Sequence, residues 1–250
     1  MTITLHYHYI KHSSLFEEEI SMKKYHKINT IYKRAMELPD SPVVEGLWVS
    51  PEIEMLKDIA WTGTEKIDGT NVRIIFDGTT VEVKGKSDKS SMPDFLRADI
   101  EAMFSVDGMV KAFPDIPEDG AICLYGEGYG KRIQQGGNYI PDKTSFILFD
   151  VRVGSWWLTR EAVEGIAETL GIQVVPIVGE FTLEEAVEFV RKGFTSLVAH
   201  NKEYPAEGLI LKPKVDLLTR GAQRIIVKIK TGDFRKSITL EEYEQSKKED

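Results

Sequence analysis

The chain has 250 residues, of which 42% are hydrophobic, and a formal net charge of −8 at pH 7. This length suits one sizeable domain, and the negative charge argues against a protein that coats nucleic acid non-specifically. The single cysteine, Cys123, excludes a disulfide framework and a cysteine-rich zinc site. No apolar run approaches the roughly 20 residues that span a bilayer, and the N-terminus does not resemble a signal peptide. We therefore expect a cytoplasmic protein that is not bound to a membrane.

Three parts are predicted along the chain. Residues 1–21 show no clear periodicity and predict a loosely attached tail, whereas residues 22–240 predict the folded domain. Residues 241–250 are mostly charged and predict a C-terminal tail. The region 212–236 contains eight basic and two acidic residues, so it predicts a locally basic surface suited to phosphates.

Local sequence patterns predict hairpins and two helices. Residues 71–84 predict a β-hairpin, because apolar residues alternate along them and Asp77-Gly78 supplies a turn. A helix is predicted over 159–170, with Thr159 as its N-cap and Gly171 as its end.

A second helix is predicted over 182–191, where Thr182 and Glu185 form a capping box. Further strands are predicted over residues 121–125, 146–151, 208–211 and 225–229. Hairpins with inserted helices indicate an α+β fold and not a parallel, doubly wound sheet.

Lys66 is the residue with the clearest chemical potential. It lies in Glu65-Lys66-Ile67-Asp68-Gly69-Thr70-Asn71, just before the predicted hairpin. A lysine amine attacks a phosphorus atom only when it is neutral, and nearby positive charge or a metal ion favours that form. Lys228 and Lys230 share one face of a predicted strand, where an anion between them would relieve their repulsion. The alternative for this pair is a solvated edge strand, in which alternating lysines are common.

Five segments in order resemble the motifs of the covalent nucleotidyltransferases, which are DNA ligases, RNA ligases and mRNA capping enzymes. Lys66-Ile67-Asp68-Gly69-Thr70-Asn71 resembles their nucleophile motif. The segments that resemble their later motifs are Tyr125-Gly126-Glu127, Phe146-Ile147-Leu148-Phe149-Asp150-Val151, Glu207-Gly208-Leu209-Ile210-Leu211-Lys212-Pro213 and Val227-Lys228-Ile229-Lys230. Asn71 and the segment 130–139 are most similar to the RNA ligase 2 family.

This resemblance implies an adenylation domain of two antiparallel β-sheets with flanking helices, in which the nucleotide binds between the sheets. It implies that Lys66 forms a phosphoramidate with AMP and that Lys228 and Lys230 stabilise the phosphates in the transition state. Backbone groups of Glu65 and Ile67 would then contact the edge of the adenine.

The resemblance also implies a role for other residues around the nucleotide. Phe149 would stack on the face of the adenine. Glu207 would orient a hydrated Mg²⁺ near the α-phosphate. Ribose and phosphate would be held by Asn71, Lys86 and Glu127, with Arg73 as a further candidate.

The predicted function is that of an ATP-dependent RNA ligase that joins 5′-phosphate and 3′-hydroxyl ends through lysyl-AMP. Asp68 is the residue that DNA ligases carry where RNA ligase 2 proteins often have histidine, so a minimal DNA ligase core acting on DNA or RNA/DNA nicks remains an alternative. Twenty residues follow Lys230, which leaves no room for an appended C-terminal domain. We therefore expect either a separate substrate-binding partner or binding by the basic face alone. A protein that binds nucleic-acid ends without turnover is a third hypothesis, disfavoured by the nucleophile.

Overall fold

The computed structural model describes residues 24–115 and 121–248, and the predicted tail over residues 1–21 lies outside these ranges. Within the described residues there are six α-helices: α1 (Pro51–Met55), α2 (Asp94–Glu101), α3 (Val106–Ala112), α4 (Arg160–Leu170), α5 (Leu183–Lys192) and α6 (Leu240–Ser246). The strands are β1 (Asn29–Thr30), β2 (Tyr32–Arg34), β3 (Val43–Trp48), β4 (Trp61–Glu65), β5 (Thr70–Phe76), β6 (Val81–Gly85), β7 (Ile122–Gly130), β8 (Thr144–Val153), β9 (Trp156–Trp157), β10 (Gln173–Val174), β11 (Ile177–Phe181), β12 (Gly208–Pro213), β13 (Val227–Lys230) and β14 (Ile238–Thr239).

Two large sheets contain most of these strands. One has the order β10-β8-β7-β5-β6, with β9 paired to β8, and the other has the order β1-β13-β12-β4-β11. Their central pairs are antiparallel, and short parallel pairs occur at the edges, β10 on β8 and β1 on β13. The predicted α+β class with two antiparallel sheets is therefore confirmed. A third sheet of order β14-β3-β2 was not predicted.

The predicted hairpin forms β5 and β6, and its apolar side chains face a helical layer. Val72, Ile74 and Phe76 are fully buried, as alternation along the strand requires. Helices α2 and α4 cover this face of the sheet. They contribute Leu96, Ile100, Val163 and Ile166 to the same core. Each such side chain contributes roughly 1.5–3 kcal/mol of burial free energy.

The other large sheet packs one face against α5, which contributes Leu183, Val187 and Val190 to a second core. Strand β13 alternates between buried Val227 and Ile229 and the partly exposed lysines between them. Lys228 therefore points away from α5 and lines a cleft between the two large sheets.

The predicted helix ends are confirmed. The Thr159 side chain caps α4, which ends at Gly171 in the left-handed conformation with φ +66°. Thr182 and Glu185 form the predicted capping box of α5. No helix in the described part of the chain has the length and apolarity that a membrane crossing requires.

Helix α6 lies in the segment that was expected to be a charged tail. Thr239 and Glu242 form its capping box, and the Tyr243 hydroxyl donates to Glu37 over 2.8 Å. Residues 241–246 are therefore helical, which their charge composition did not indicate.

A close contact between β12 and β13 depends on Gly208. Its φ is +152°, and a Cβ atom at this position would lie 2.0 Å from the Ile229 carbonyl oxygen. The preceding residue is Glu207, and its backbone carbonyl accepts a hydrogen bond from the Thr231 N–H over 2.9 Å. Gly208 thus allows Glu207 to lie beside the end of β13.

We expect Gly208→Ala to lower the free energy of unfolding by about 2 kcal/mol or more, because the added methyl group overlaps backbone. Gly165→Ala is the matched control, since a Cβ there meets nothing within 4 Å in the middle of α4. That change should stabilise the protein by roughly 0.5–1 kcal/mol. Urea unfolding of both variants measures the difference, and equal effects would contradict the close-contact interpretation.

Candidate active site

A cavity of about 800 Å³ lies between the two large sheets. Strands β4, β12 and β13 form one wall and strands β5, β7 and β8 form the opposite wall. The volume falls within the roughly 300–1,000 Å³ that small-molecule sites occupy. The predicted residues that line it are Glu65, Lys66, Ile67, Asn71, Lys86, Glu127, Phe149 and Lys228.

Lys66 follows β4 and lies against the start of β12. Its backbone N–H donates to the Gly208 carbonyl over 2.9 Å, and its Nζ atom pairs with a Glu207 carboxylate oxygen. The other Glu207 oxygen is 2.7 Å from Lys230 Nζ. The sheet order β13-β12-β4 makes these residues neighbours, so the structure brings together the three that the sequence predicted.

Lys228 and Lys86 line the cavity near Lys66. Burial lowers the pKa of Lys228, and the positive charges of Lys230 and Lys66 lower it further. Lys228 has no salt bridge to any residue in the described ranges, whereas Lys230 is paired. An incoming anion would relieve this repulsion.

Asn71 and Glu127 are directly opposite each other on β5 and β7. Burial raises the pKa of Glu127 to about 8, with smaller contributions from the carboxylates of Glu207 and Asp68 and an opposing one from Lys66. The Asn71 Oδ1 atom is buried and finds no hydrogen-bond donor among the described residues. Such an orphaned acceptor in a cavity wall fits a hydroxyl or amine of a ligand.

The Glu65 side chain has a structural role. It is 1% exposed and accepts hydrogen bonds from the Ser196 hydroxyl and from the Leu197 N–H, the latter over 2.8 Å. Its backbone N–H donates to the Pro176 carbonyl over 3.0 Å. That N–H is therefore already bonded, and the contact of other backbone groups of Glu65 and Ile67 with a base edge stays a prediction.

Phe149 is directed into the cavity by a β-bulge. The pairing of β7 with β8 shifts at this point, so that Tyr125 is opposite Asp150 and Gly126 is opposite Leu148. Phe149 has no partner in this ladder, and both Phe149 and Asp150 line the cavity although they are consecutive. A regular strand would have placed one of them in the core.

Asp150 is a charged group that the sequence did not reveal as part of the site. It is 1% exposed, and its Oδ2 atom accepts from the Tyr25 hydroxyl at 2.8 Å, Lys212 Nζ at 2.8 Å and Arg224 at 2.6 Å. The two cations and the tyrosine hydrogen bond outweigh burial and keep the pKa of Asp150 below its usual value. The only sequence signal was its position next to Phe149.

The predicted basic surface is largely compensated by carboxylates from elsewhere in the chain. Within 212–236 the paired cations are Lys212, Lys214, Arg224, Lys230 and Lys236. The locally basic surface that the sequence predicts therefore carries less uncompensated charge than its number of basic residues suggests.

Arg73 is the predicted site residue that the structure places elsewhere. It is fully buried and is absent from the described residues that line the cavity. Its Nε donates to the Gly85 carbonyl and its guanidinium contacts Asp88, both at 2.8 Å. Arg73 thus fixes the loop that carries Lys86, and this corrects the prediction that it contacts ligand directly.

No group of three or more His, Cys, Asp or Glu side chains in the described ranges is arranged to hold a metal ion. Glu207 and Asp68 are the carboxylates that flank Lys66, and burial together with Glu207 raises the pKa of Asp68. This arrangement suits a hydrated Mg²⁺ that takes most of its ligands from water and phosphate.

The fold is that of RNA ligases of known structure. A Naegleria gruberi RNA ligase variant with ATP and Mn superposes with a TM-score of 0.56 and 19% identity over 74% of this chain and 52% of the ligase. The same ligase with pyrophosphate gives a TM-score of 0.55 and 20% identity over 78% of this chain and 55% of the ligase. A variant of this ligase without ligand gives a TM-score of 0.55 and 20% identity over 78% of this chain and 54% of the ligase.

The chain belongs to the RNA ligase family, because residues 59–230 match the family model of RNA ligases. The resemblance that the motifs indicated is confirmed at this level. The chain spans about half the length of the Naegleria ligase that it matches.

We expect Glu127→Gln to change how stability depends on pH. The pKa of Glu127 is about 8 in the folded protein, above its ordinary value of 4.5, so the folded state binds more protons between these values. Its contribution to stability is present below pH 4.5 and is lost as pH rises through 8. Between pH 5 and pH 9, the Tm of the variant should therefore rise by several degrees relative to the Tm of wild type, because 1 kcal/mol corresponds to about 2–4 °C in a protein of this size. A constant difference in thermal melts would contradict this assignment.

We expect Arg73→Met to loosen the loop that carries Lys86. Loss of hydrogen bonds worth about 1–3 kcal/mol should raise amide hydrogen exchange in residues 86–90 at least tenfold. Asp88→Ala is the control, because its carboxylate is 69% exposed and leaves the Gly85 contact intact. A larger effect from Asp88→Ala than from Arg73→Met would show that the buried guanidinium does not fix the loop.

Proposed function

We propose that the chain is an ATP-dependent RNA ligase that joins 5′-phosphate and 3′-hydroxyl ends through a lysyl-AMP intermediate on Lys66. The observation that carries this proposal is the position of Lys66 in a nucleotide-sized cavity, beside the unpaired Lys228 and the Glu207–Lys230 pair. Family membership supports it, as do the Naegleria ligase structures with ATP and Mn and with pyrophosphate.

The cavity offers a contact for each part of ATP. Phe149 provides an aromatic face for the adenine, and backbone groups of Glu65 and Ile67 remain candidates for the base edge, apart from the bonded Glu65 N–H. The orphaned Asn71 Oδ1 atom accepts a ribose hydroxyl, and Glu127, protonated near neutral pH, donates to a second oxygen.

Lys228, Lys230 and Lys86 compensate the phosphate charge. The lone pair of the neutral Lys66 amine attacks the α-phosphorus, a P–N bond forms, the bond to the bridging oxygen breaks to release pyrophosphate, and the nitrogen loses one proton to solvent. These lysines stabilise the charge that develops on the departing phosphates. Strand β13 already holds Lys228 and Lys230 in place, and Arg73 fixes the loop that carries Lys86.

Two further transfers complete the reaction. An oxygen of the RNA 5′-phosphate attacks the adenylyl phosphorus, the P–N bond breaks as its nitrogen takes up a proton from solvent, and Lys66 recovers its amine. The 3′-hydroxyl oxygen then attacks the 5′-phosphate phosphorus, its proton is lost to solvent, and AMP leaves as a phosphodiester forms.

Glu207 and Asp68 are the residues that would hold a hydrated Mg²⁺, which supplies charge neutralisation at the phosphates. Glu207 must then give up its pairing with Lys66, and this also frees the nucleophile. We propose RNA ends as the substrate, with binding aided either by the cavity mouth or by a separate substrate-binding partner.

The first test is the intact mass of the protein after incubation with ATP and Mg²⁺. Wild type should gain one AMP, whereas Lys66→Ala should gain none because the nucleophile is absent. Lys192→Ala is the matched control, since it removes an exposed lysine at the end of α5 and should label fully. Pretreatment with pyrophosphate removes AMP acquired before purification.

An adduct on Lys66→Ala, or no adduct on stripped wild type, would refute the lysyl-AMP mechanism. Nicked duplexes with RNA or DNA on either side of the break then measure substrate preference. Sealing that requires DNA on both sides would replace the RNA ligase proposal with the DNA ligase alternative.

A further inference from the structure

Part of the cavity wall comes from residues 25–28, in the segment 24–28 that precedes β1 and lies outside the region 59–230 that matches the RNA ligase family. Tyr25 and His26 both line the cavity. They reach it from a part of the chain that is distant in sequence from Lys66 and Phe149.

Tyr25 is packed against the residue proposed to stack on adenine. Its ring meets the Phe149 ring edge to face, with centroids 5.0 Å apart. It also contacts Tyr125 at 5.1 Å and Trp157 at 5.5 Å, and it is 6% exposed. Phe149 is the extra residue of the β7–β8 bulge and has no register partner on β7, so the ring contact with Tyr25 helps to set its orientation.

The Tyr25 hydroxyl holds the residue next to Phe149. It donates to Asp150 Oδ2 over 2.8 Å, and that oxygen also binds Lys212 and Arg224. The Arg224 guanidinium lies 4.6 Å from the Trp157 ring centroid, which closes the cluster around the tyrosine. Burial raises the pKa of Tyr25 well above its ordinary value, so the hydroxyl remains a donor.

His26 adds an open polar group to the same wall. Its ring stacks on Tyr25 with centroids 4.5 Å apart, and burial and Arg224 lower its pKa to about 4. The neutral imidazole has a buried Nε2 atom without a hydrogen-bond partner among the described residues. An unsatisfied nitrogen in a cavity-lining residue fits contact with a ligand.

We propose that Tyr25 is a positioning residue for nucleotide binding: it orients the Phe149 ring through edge contact and anchors the neighbouring Asp150 through its hydroxyl. The segment 24–28 is then part of the nucleotide pocket and not merely a leader to the domain. This inference rests on the proposed function, since it takes ATP as the ligand.

The test compares Tyr25→Leu and Tyr25→Phe with wild type. Tyr25→Leu removes ring and hydroxyl, so the ATP concentration for half-maximal self-adenylylation should rise about tenfold, while the rate at saturating ATP stays within about threefold. Tyr25→Phe keeps the ring contact and should recover most of the affinity. Tyr243→Leu, which removes a tyrosine bonded to Glu37 far along the chain, should match wild type in both quantities.

Calorimetric titration with ATP on the Lys66→Ala background measures binding without chemistry. If wild type forms no adduct but Tyr25→Leu still weakens ATP binding in this background, the ligase mechanism fails and the positioning role stands. Unchanged binding by Tyr25→Leu, or a lower saturating rate at unchanged affinity, would overturn the positioning role. If Tyr25→Leu does not fold, Tyr25→Met, which removes the ring and hydroxyl but fills more of the space, replaces it, and the same outcomes apply.

Discussion

The centre of the site depends on the close packing of β12 between β4 and β13. Gly208 makes this packing possible, because its backbone lies where a side chain would overlap the Ile229 carbonyl. The register that follows places Lys66, Glu207 and Lys230 at adjacent strand ends. The proposed nucleophile, a carboxylate and a cation from three distant segments therefore meet through backbone hydrogen bonds and not through flexible loops. Rigid strands of this kind can hold reacting groups in place before a ligand arrives.

Much of the fold was predictable from local sequence. The hairpin, the caps of α4 and α5 and the lysine face of β13 follow from alternation, capping residues and turn residues, which act over a few positions. Lys66, Glu207 and Lys230 were predicted as site residues because the motifs resemble those of a known family. Helix α6 was missed because its charged composition hid the capping box at Thr239.

The remaining features depend on register and tertiary contacts, which no short window encodes. Alternation alone cannot show that the β7–β8 pairing shifts at Phe149, and without that shift Asp150 has no reason to face the cavity. Arg73 was named as a further candidate from the family resemblance. Its partners, Gly85 and Asp88, become visible only when the loop after β6 is folded back.

Charge distribution links these features to selectivity for an anionic ligand. Five of the eight cations of the basic run are paired with carboxylates. Lys228 is held beside other lysines at a cost in desolvation and repulsion, which a bound triphosphate would offset. At the aromatic end of the cavity, by contrast, Asp150 compensates the positive charges of Lys212 and Arg224. At the Phe149 end of the cavity, aromatic rings line the wall and Asp150 compensates the nearby cations. At the Lys66 end, Lys228 is not paired with an anion among the described residues. This asymmetry supports the proposed orientation of the nucleotide, with its base at Phe149 and its phosphates at Lys66.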